Sequence, residues 1–329
     1  MLPRTLLFQS LRSIRKSSPR LGFCTCSSHI PQPQAGFVTM ASSPQQHPLT
    51  TKVVHAMRTL YPEALADRSW DNVGLLLDNI KPGPGVQETS PLVLLTNDLT
   101  IAVAEEAIQK GARVIISYHP FLFRGIKSVS LNDPHQRILL QLVQNNIAVY
   151  SPHTALDAAD GGINDWLADM LNSLDENSKR SVVQPIAKPE GYISAAVGYG
   201  RRVDFSRAFG IHDVVGAFAK ALDMKYMSVA TPKAAEKPIK SVAVCAGSGS
   251  GVLKDCDADL LFTGEMSHHD ALKATMLGQT VVTVFHSNSE RKYLRERLAP
   301  ALRNELGEDI GIVVSKEDCD PFEIWRTDE

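Results

Sequence analysis

The feature that most constrains the fold is a repeated alternation of short apolar runs with helix-type segments. Each run holds four or five mainly apolar residues, and the runs occupy residues 92–96, 114–117, 147–151, 241–245, 259–263, 281–285 and 310–314. Short apolar runs separated by helices are typical of parallel strands joined by crossover helices. The sequence therefore predicts the α/β class, with two α/β domains whose strands are mostly parallel.

The 329-residue chain is long enough for two domains with separate cores. We expect a first α/β part at residues 49–185 and a second at 240–329, which completes the functional site. Between them, residues 186–239 form an intervening segment in which the alternation is less clear. A strand near Tyr192–Gly198 is the prediction there.

The first 48 residues differ in composition from the rest of the chain. The first acidic residue is Glu63, and the basic residues of the segment are interleaved with leucines and serines. This pattern predicts a mitochondrial transit peptide, followed by a disordered linker rich in Pro, Gln and Ser. A disordered basic tail is the alternative, whereas a secretory signal would need a compact apolar region. Met40 could start a shorter, cytoplasmic form.

Residues 1–39 are therefore expected to direct mitochondrial import of a fused fluorescent reporter, because arginines among apolar residues form the signal. Microscopy of cells that express the fusion measures this. A reporter that stays in the cytosol would contradict the assignment.

Charge and hydropathy exclude two classes of function. The formal net charge is −2, and it falls to about −7 without the five basic residues of the first 39, so no direct nucleic-acid partner is expected. No apolar run approaches the roughly 18–20 residues of a membrane span. The five cysteines show neither zinc-ribbon nor disulfide spacing, which favours a reducing compartment.

Histidines and carboxylates follow four of the predicted strands directly. In an open α/β sheet, the loops beyond the carboxyl ends of the strands form the ligand crevice. His286 and Glu290, four residues apart where a helix should begin, can face the same point. The pattern predicts a metal site at the strand ends. The clusters are His119; His153 with Asp157; Glu265 with His268 and His269; and His286 with Glu290.

Imidazole and carboxylate groups without thiolates suit Zn²⁺, Mn²⁺, Fe²⁺, Co²⁺ or Ni²⁺, and the residues do not distinguish among these ions. Structural zinc usually recruits cysteine, so this composition favours a hydrolytic centre. A bridging carboxylate such as Glu290 would allow two ions about 3.5–4 Å apart. A residue of the remaining clusters would then act as general base.

Other residues have simpler explanations. Ser267 is a plausible N-cap, so one of His268 and His269 points to solvent, and Glu265 can accept hydrogen bonds from the start of the same helix. The pairs Asp71–Asn72 and Asn97–Asp98 are typical turn formers. The run Gly247–Gly251 favours a tight turn over a phosphate cradle because it lacks a P-loop lysine. Arg201 and Arg202 would meet an anionic ligand or lie in water.

Seven ordered motifs give the chain a resemblance to a known family. From about Lys52 to the C-terminus, the sequence resembles the NIF-three-like family, also called GTP cyclohydrolase type 2 homologues, which includes the bacterial YbgI proteins. The forms of three motifs are those of the eukaryotic branch. The motifs are SWDNVGLLL, LTNDLT, SYHP, SPHTALDAADGGINDWLA, CAGSGSGVL, TGEMSHHD and HSNSER.

The resemblance implies two α/β domains around a dinuclear metal site and a toroidal homo-hexamer. Carried over by motif, the implied metal ligands are His119, Asp157, His286 and Glu290. The bacterial pattern has two adjacent histidines where this chain has Tyr118 before its histidine. This departure removes one ligand of the second ion, unless His153 or water replaces it.

Two functions from different classes follow from the resemblance. The first is a metal-dependent hydrolase of a small substrate; the cyclohydrolase name implies hydrolytic opening of the GTP imidazole ring at C8 with release of formate. The second is a metal-stabilised scaffold or regulatory protein-binding factor that interacts with a transcriptional adaptor. An open metal site reached through a cavity favours the enzyme, whereas a closed one favours the scaffold.

Overall fold

Two β-sheets form the framework of the protein. The structure, a computed structural model, describes residues 45–83, 91–194, 196–233 and 237–325. The segment predicted to direct import lies outside these ranges. Among the helices of the described ranges, none has the length and apolar character that a bilayer crossing demands.

The structure contains eleven strands and ten α-helical segments in the described ranges. The strands are β1 (Gly74–Leu77), β2 (Leu92–Thr96), β3 (Val114–Ser117), β4 (Ala148–Ser151), β5 (Lys179–Pro185), β6 (Gly198–Phe209), β7 (Ser228–Ala230), β8 (Ile239–Ser248), β9 (Leu260–Glu265), β10 (Thr280–Thr283) and β11 (Gly311–Val314). The helices are α1 (Pro48–Leu60), α2 (Ile101–Lys110), α3 (Pro134–Gln144), α4 (His153–Ala158), α5 (Ile163–Asp169), α6 (Ile211–Leu222), α7 (Ser250–Leu253), α8 (His268–Met276), α9 (Arg291–Tyr293) and α10 (Ala299–Leu306).

The first sheet has the strand order β1-β4-β3-β2-β11. Strands β4, β3, β2 and β11 are parallel, and only the edge strand β1 is antiparallel to its neighbour. The last strand of the chain therefore returns to the sheet that the first strands build. Because four strands run the same way, their carboxyl ends share one edge.

The second sheet has the order β5-β6-β8-β9-β10-β7. Its centre, β8-β9-β10, is parallel, whereas β5, β6 and β7 are antiparallel to their neighbours. The α/β class is thus confirmed. The predominance of parallel strands holds for the first sheet and for the centre of the second.

Apolar side chains on alternate faces of the strands build the layers. In β2, Val93 and Leu95 face the large central core, while Leu94 packs towards α2 and α3. The central core also contains residues of the second sheet, such as Val244 and Phe262. Pro44–Glu329 form one compact unit, and the domain boundaries near residues 185 and 239 stay a prediction.

Two predictions for the intervening segment are wrong. The strand expected near Tyr192–Gly198 begins only at Gly198 and continues to Phe209, because its polar residues pair with β5 and β8 on both sides. Arg201 neither meets a ligand nor lies in water. Its side chain is 1% exposed, and its guanidinium binds the Asp165 carboxylate through two hydrogen bonds of 2.8 and 2.9 Å. The neighbouring Arg202 pairs with carboxylates instead.

Candidate metal centre

The carboxyl ends of the first sheet deliver two histidines to one place. His119 lies two residues beyond β3, and His153 lies two residues beyond β4, as the first residue of α4. The backbone N–H of His153 donates to the carbonyl of Tyr118 at 3.2 Å, which ties the two strand ends together. The two imidazole rings are 5.5 Å apart, centroid to centroid.

The second sheet contributes His286 and Glu290 from the segment after β10. A turn of 3₁₀ helix, Ser287–Ser289, reverses the chain and places the Glu290 carboxylate in the interior, where it is 1% exposed. The Ser289 hydroxyl accepts from the N–H of Gly247 at 2.8 Å, which fixes this turn against the end of β8. The His286 and His119 ring centroids are 5.1 Å apart.

His119, His286 and Glu290 form a group that could hold a metal ion. One ligand atom from each residue lies within 4.8 Å of the others. Glu290 Oε2 is 3.5 Å from His119 Nε2, and Glu290 Oε1 is 3.3 Å from His286 Nε2. Two atoms that each lie about 2.1 Å from one ion at tetrahedral or octahedral angles are roughly 3–3.5 Å apart. Each of the two Glu290–histidine distances is therefore compatible with a shared metal ion.

A carboxylate holds the outer nitrogen of each clustered histidine. His119 Nδ1 lies 2.8 Å from Asp98, His286 Nδ1 lies 2.9 Å from Glu265, and His153 Nδ1 lies 2.7 Å from Asp71. A carboxylate only accepts, so Nδ1 carries a hydrogen, and in the neutral ring the lone pair lies on Nε2, where it would be available to an ion. This carboxylate–histidine arrangement is the usual support of metal-binding imidazoles.

The charges of the site also fit a cation. Burial disfavours a charged His119, but Glu290 and Asp98 outweigh burial and raise the pKa of His119 to about 10. The buried carboxylate of Glu290 thus has a positive partner, as buried charges require. A divalent ion would replace the proton of His119 in this role.

Gly247 leaves the space that the ligand atoms occupy. A Cβ atom at this position would lie 2.6 Å from Glu290 Oε1 and 2.9 Å from His286 Nε2. The residue also has a φ of +61°, in the left-handed region that favours glycine. The run Gly247–Gly251 makes the predicted tight connection: it spans the end of β8, Gly249 alone between the two elements, and the start of α7. The N–H of Gly249 donates to the Thr263 hydroxyl at 2.9 Å.

Asp157 and Tyr118 form a pair beside the group. The Tyr118 hydroxyl donates to Asp157 Oδ1 at 2.6 Å. Burial raises the pKa of Asp157 to about 6; His153 and Tyr118 oppose the rise, and Glu290 adds to it. Asp157, expected as a fourth ligand, shares the cleft with the three-residue group but is not part of it. Its role as a ligand stays a prediction, and in this structure the Tyr118 hydroxyl holds the carboxylate.

Of the predicted cluster Glu265, His268 and His269, it is Glu265, the last residue of β9, that contacts the site. Ser267 caps α8 as predicted, accepting from the N–H of Asp270 at 3.2 Å. His268 and His269 are exposed and do not line the clefts beside His286. Glu265 was expected to accept from the start of the helix, but its carboxylate holds His286 instead.

Sequence reasoning assigned three site residues to turns. Asn97 donates to Glu290 Oε2 at 2.9 Å, and Asp98 supports His119. Both directly follow β2, so the strand-end rule that identified His119 would have found them. Asp71 precedes the antiparallel strand β1 and holds His153 from 82 residues away. No local sequence pattern predicts the contact between Asp71 and His153.

Two clefts meet at this group. One, of about 670 Å³, is lined by Tyr118, His153, Asp157 and Glu290; we call it the polar arm. The other, of about 870 Å³, extends towards the C-terminal segment; we call it the apolar arm. His119 and His286 line both, so small molecules can reach the ligand atoms.

Comparison with protein families and curated proteins gives a consistent result. The model of the family described as Duf34/NIF3 (NGG1p interacting factor 3) matches residues 49–321. The chain is 40% identical over 282 residues to NGG1-interacting factor 3 of Saccharomyces cerevisiae, which covers 83% of this chain and 96% of the yeast protein. It is 30% identical over 335 residues to human NIF3-like protein 1, which covers 78% and 87%.

Solved structures show the same fold. A Bacillus cereus protein related to NIF3 superposes with a TM-score of 0.68 at 21% identity, covering 84% of this chain and 99% of the bacterial one. Reduced HcgD from Methanocaldococcus jannaschii superposes with a TM-score of 0.63 at 24% identity, covering 81% and 97%. Because the sequence identities are only 21% and 24%, these two superpositions show a shared fold and nothing further.

Proposed function

Because the chain belongs to the Duf34/NIF3 family, we propose that it is a divalent-metal-dependent hydrolase of a small substrate, resembling the GTP cyclohydrolases in reaction class. The observation that carries this proposal is the group of His119, His286 and Glu290 at the junction of two open clefts. A metal that serves assembly alone would be closed off by protein ligands, whereas a catalytic one keeps an open position.

The residues around the metal-binding group have different roles in the proposed reaction. When bound, a divalent ion supplies the Lewis acidity that makes water a nucleophile near neutral pH. His153 lines the polar arm, and buried Asp71 holds it in the tautomer whose Nε2 can take up a proton. We assign proton transfer to His153. Asn97 fixes the orientation of Glu290 through its amide.

The geometry of Glu290 supports a bridging role. Each of its oxygens faces a different imidazole, at 3.5 Å for His119 and 3.3 Å for His286. We propose that a metal centre would be held by His119, His286 and Glu290, that Glu290 could serve two ions, and that Asp157 would complete the ligand set in place of its hydrogen bond with Tyr118. In this proposal, Tyr118 weakens the second position relative to a histidine.

Elemental analysis of the protein purified from Met40 onward tests the centre. Near two ions per chain would support a dinuclear hydrolytic centre, and one would indicate that Tyr118 disables the second position. The loaded protein is then assayed with GTP and other nucleotides, and formate release is measured. Turnover that needs metal and is lost in His153→Gln with metal retained supports the enzyme. Absence of bound metal would refute the proposal.

Removing the carboxylate that supports His119 is expected to weaken metal binding. Asp98→Ala frees the Nδ1 atom of that imidazole, so both its tautomer and its orientation become less fixed, and loss of such a partner typically costs about 10- to 100-fold in affinity. Titration with Zn²⁺ against a competing chelator measures the affinity. Asp309→Ala, an exposed aspartate outside the site, is the control. Equal affinities in the two variants would contradict the supporting role.

The name of the yeast relative favours a second candidate. That protein is called NGG1-interacting factor 3, so we also propose a protein-binding role, as a metal-stabilised scaffold that contacts a transcriptional adaptor. A homo-hexamer is part of either proposal, and mass photometry of the purified protein measures it. Binding of an adaptor that persists in the turnover-deficient His153→Gln variant would favour the scaffold.

A further inference from the structure

We propose that the apolar arm binds an aryl group of the substrate, beside the metal ligands. This inference rests on the proposed metal centre and names the chemical class that the centre would act on. The arm has a volume of about 870 Å³, within the range of small-molecule sites. His119 and His286 line one end of the arm. The apolar residues that line it include Leu99, Ile101, Phe121, Ile138, Phe285 and Phe322.

Two stacked phenyl rings line the apolar arm. Phe285 and Phe322 lie 6.0 Å apart, centroid to centroid, with their planes inclined by 25°. They are 37% and 69% exposed. A pair of exposed aromatic rings next to a polar group is typical of a binding surface rather than of a core. Their accessible faces suit a planar ring, which prefers offset or edge contacts with other rings.

The backbone conformation of Phe285 indicates that the surrounding structure fixes the position of this ring. Phe285 has a φ of +65°, in the left-handed region, which a bulky residue seldom adopts. Conformations of this kind cluster at binding and catalytic sites, where the surrounding structure maintains them. The residue directly precedes His286, so the same turn presents the ring and the ligand.

The second ring comes from the C-terminal segment, which is fixed to the site. Asp318 Oδ2 accepts from the N–H of Asn97 at 2.6 Å. Asp320 Oδ2 accepts from the Ser287 hydroxyl at 3.0 Å, and Asp320 Oδ1 accepts from the N–H of Phe322 at 2.9 Å. The segment is therefore positioned by strand ends of both sheets. Phe322 thus lines the same arm as His119 and His286.

Continuity with the ligand group argues for a small molecule as the occupant. A ligand that extends along the arm can reach His119 and His286, which line it. The same two histidines also line the polar arm. A substrate whose hydrolysed bond lies at the histidines would thus place its ring in the apolar arm and its polar part in the other.

Two hydroxamates test the inference on the full chain loaded with Zn²⁺. Acetohydroxamate can bind the ion through its two oxygens, and benzohydroxamate adds a phenyl ring. Calorimetry gives both dissociation constants, and their ratio measures the contribution of the ring. We expect benzohydroxamate to bind more tightly, by about two- to tenfold, the range for aromatic contacts. Equal constants for the two compounds would overturn the inference.

Single substitutions test where the phenyl ring of benzohydroxamate binds. Phe322→Ala should abolish the preference for benzohydroxamate, while Ile324→Ala, an exposed residue of the same segment that does not line the arm, should keep it. Phe285→Gly should also abolish it without loss of thermal stability, since glycine suits the left-handed φ. A preference that survives Phe322→Ala but is lost in Trp70→Ala would place the ring in the polar arm and overturn the inference.

Alkylation of Cys319 gives a second measurement. This cysteine is exposed and lines the apolar arm, so benzohydroxamate should slow its reaction with N-ethylmaleimide, whereas acetohydroxamate should not. Equal rates with the two compounds contradict occupancy of the arm. If neither hydroxamate binds, the metal centre itself is refuted. If both bind alike, only the aryl site is refuted.

Discussion

Replacing Glu290 with alanine is expected to remove most of the bound metal. The carboxylate is buried and lies between two imidazoles, with one oxygen 3.3 Å from His286 and the other 3.5 Å from His119. Without it, an ion held by the two imidazoles would lose the buried carboxylate that lies between them. We expect affinity to fall by about 100-fold or more, beyond the effect of losing a supporting group.

The measurement is metal content after dialysis, combined with Zn²⁺ titration against a competing chelator. Glu305→Ala is the matched control, because this exposed glutamate lies in helix α10, a short distance along the same chain segment. Glu290→Gln keeps the shape of the side chain and separates charge from packing. Full occupancy in Glu290→Ala would show that this carboxylate is not a ligand.

The strands and the histidines were predictable because local sequence encodes them. β2 and β3 have the predicted bounds, since a run of apolar residues between turns has few other solutions. The position of His119 and His286 followed from a topological rule: parallel strands end at one edge. That the ends of two separate sheets converge is a property of the tertiary fold, and the sequence only implied it through resemblance.

Polar contacts between distant segments could not be predicted. Arg201 stands beside a second arginine in sequence, so it looks like a surface residue, yet Asp165 neutralises it in the interior. In the same way, Asp71 resembles a turn former until the fold places it against His153. A buried polar residue is stable only with its partner, and the partner is known only once the fold is known.

Gly247→Ala is expected to impair metal binding although Gly247 is not a ligand. The added methyl group would lie 2.6 Å from Glu290 Oε1 and 2.9 Å from His286 Nε2, closer than van der Waals contact allows. Those atoms are the ends of side chains, so they would move apart rather than break the fold. Because a shift of the ligand atoms destroys the spacing for an ion, affinity should fall by about 100-fold.

Comparison with Gly251→Ala separates this clash from a general effect of substitution in the turn. A Cβ at Gly251 meets no atom within 4 Å, and the residue belongs to helix α7, so alanine there should leave metal affinity unchanged. In Gly247→Ala, the left-handed φ and the crowding should also lower the free energy of unfolding of the metal-free protein by about 1–3 kcal/mol. Denaturant titration of both metal-free variants measures this. If Gly247→Ala unfolds and binds Zn²⁺ like the native protein, then the ligand atoms do not lie against the turn after β8.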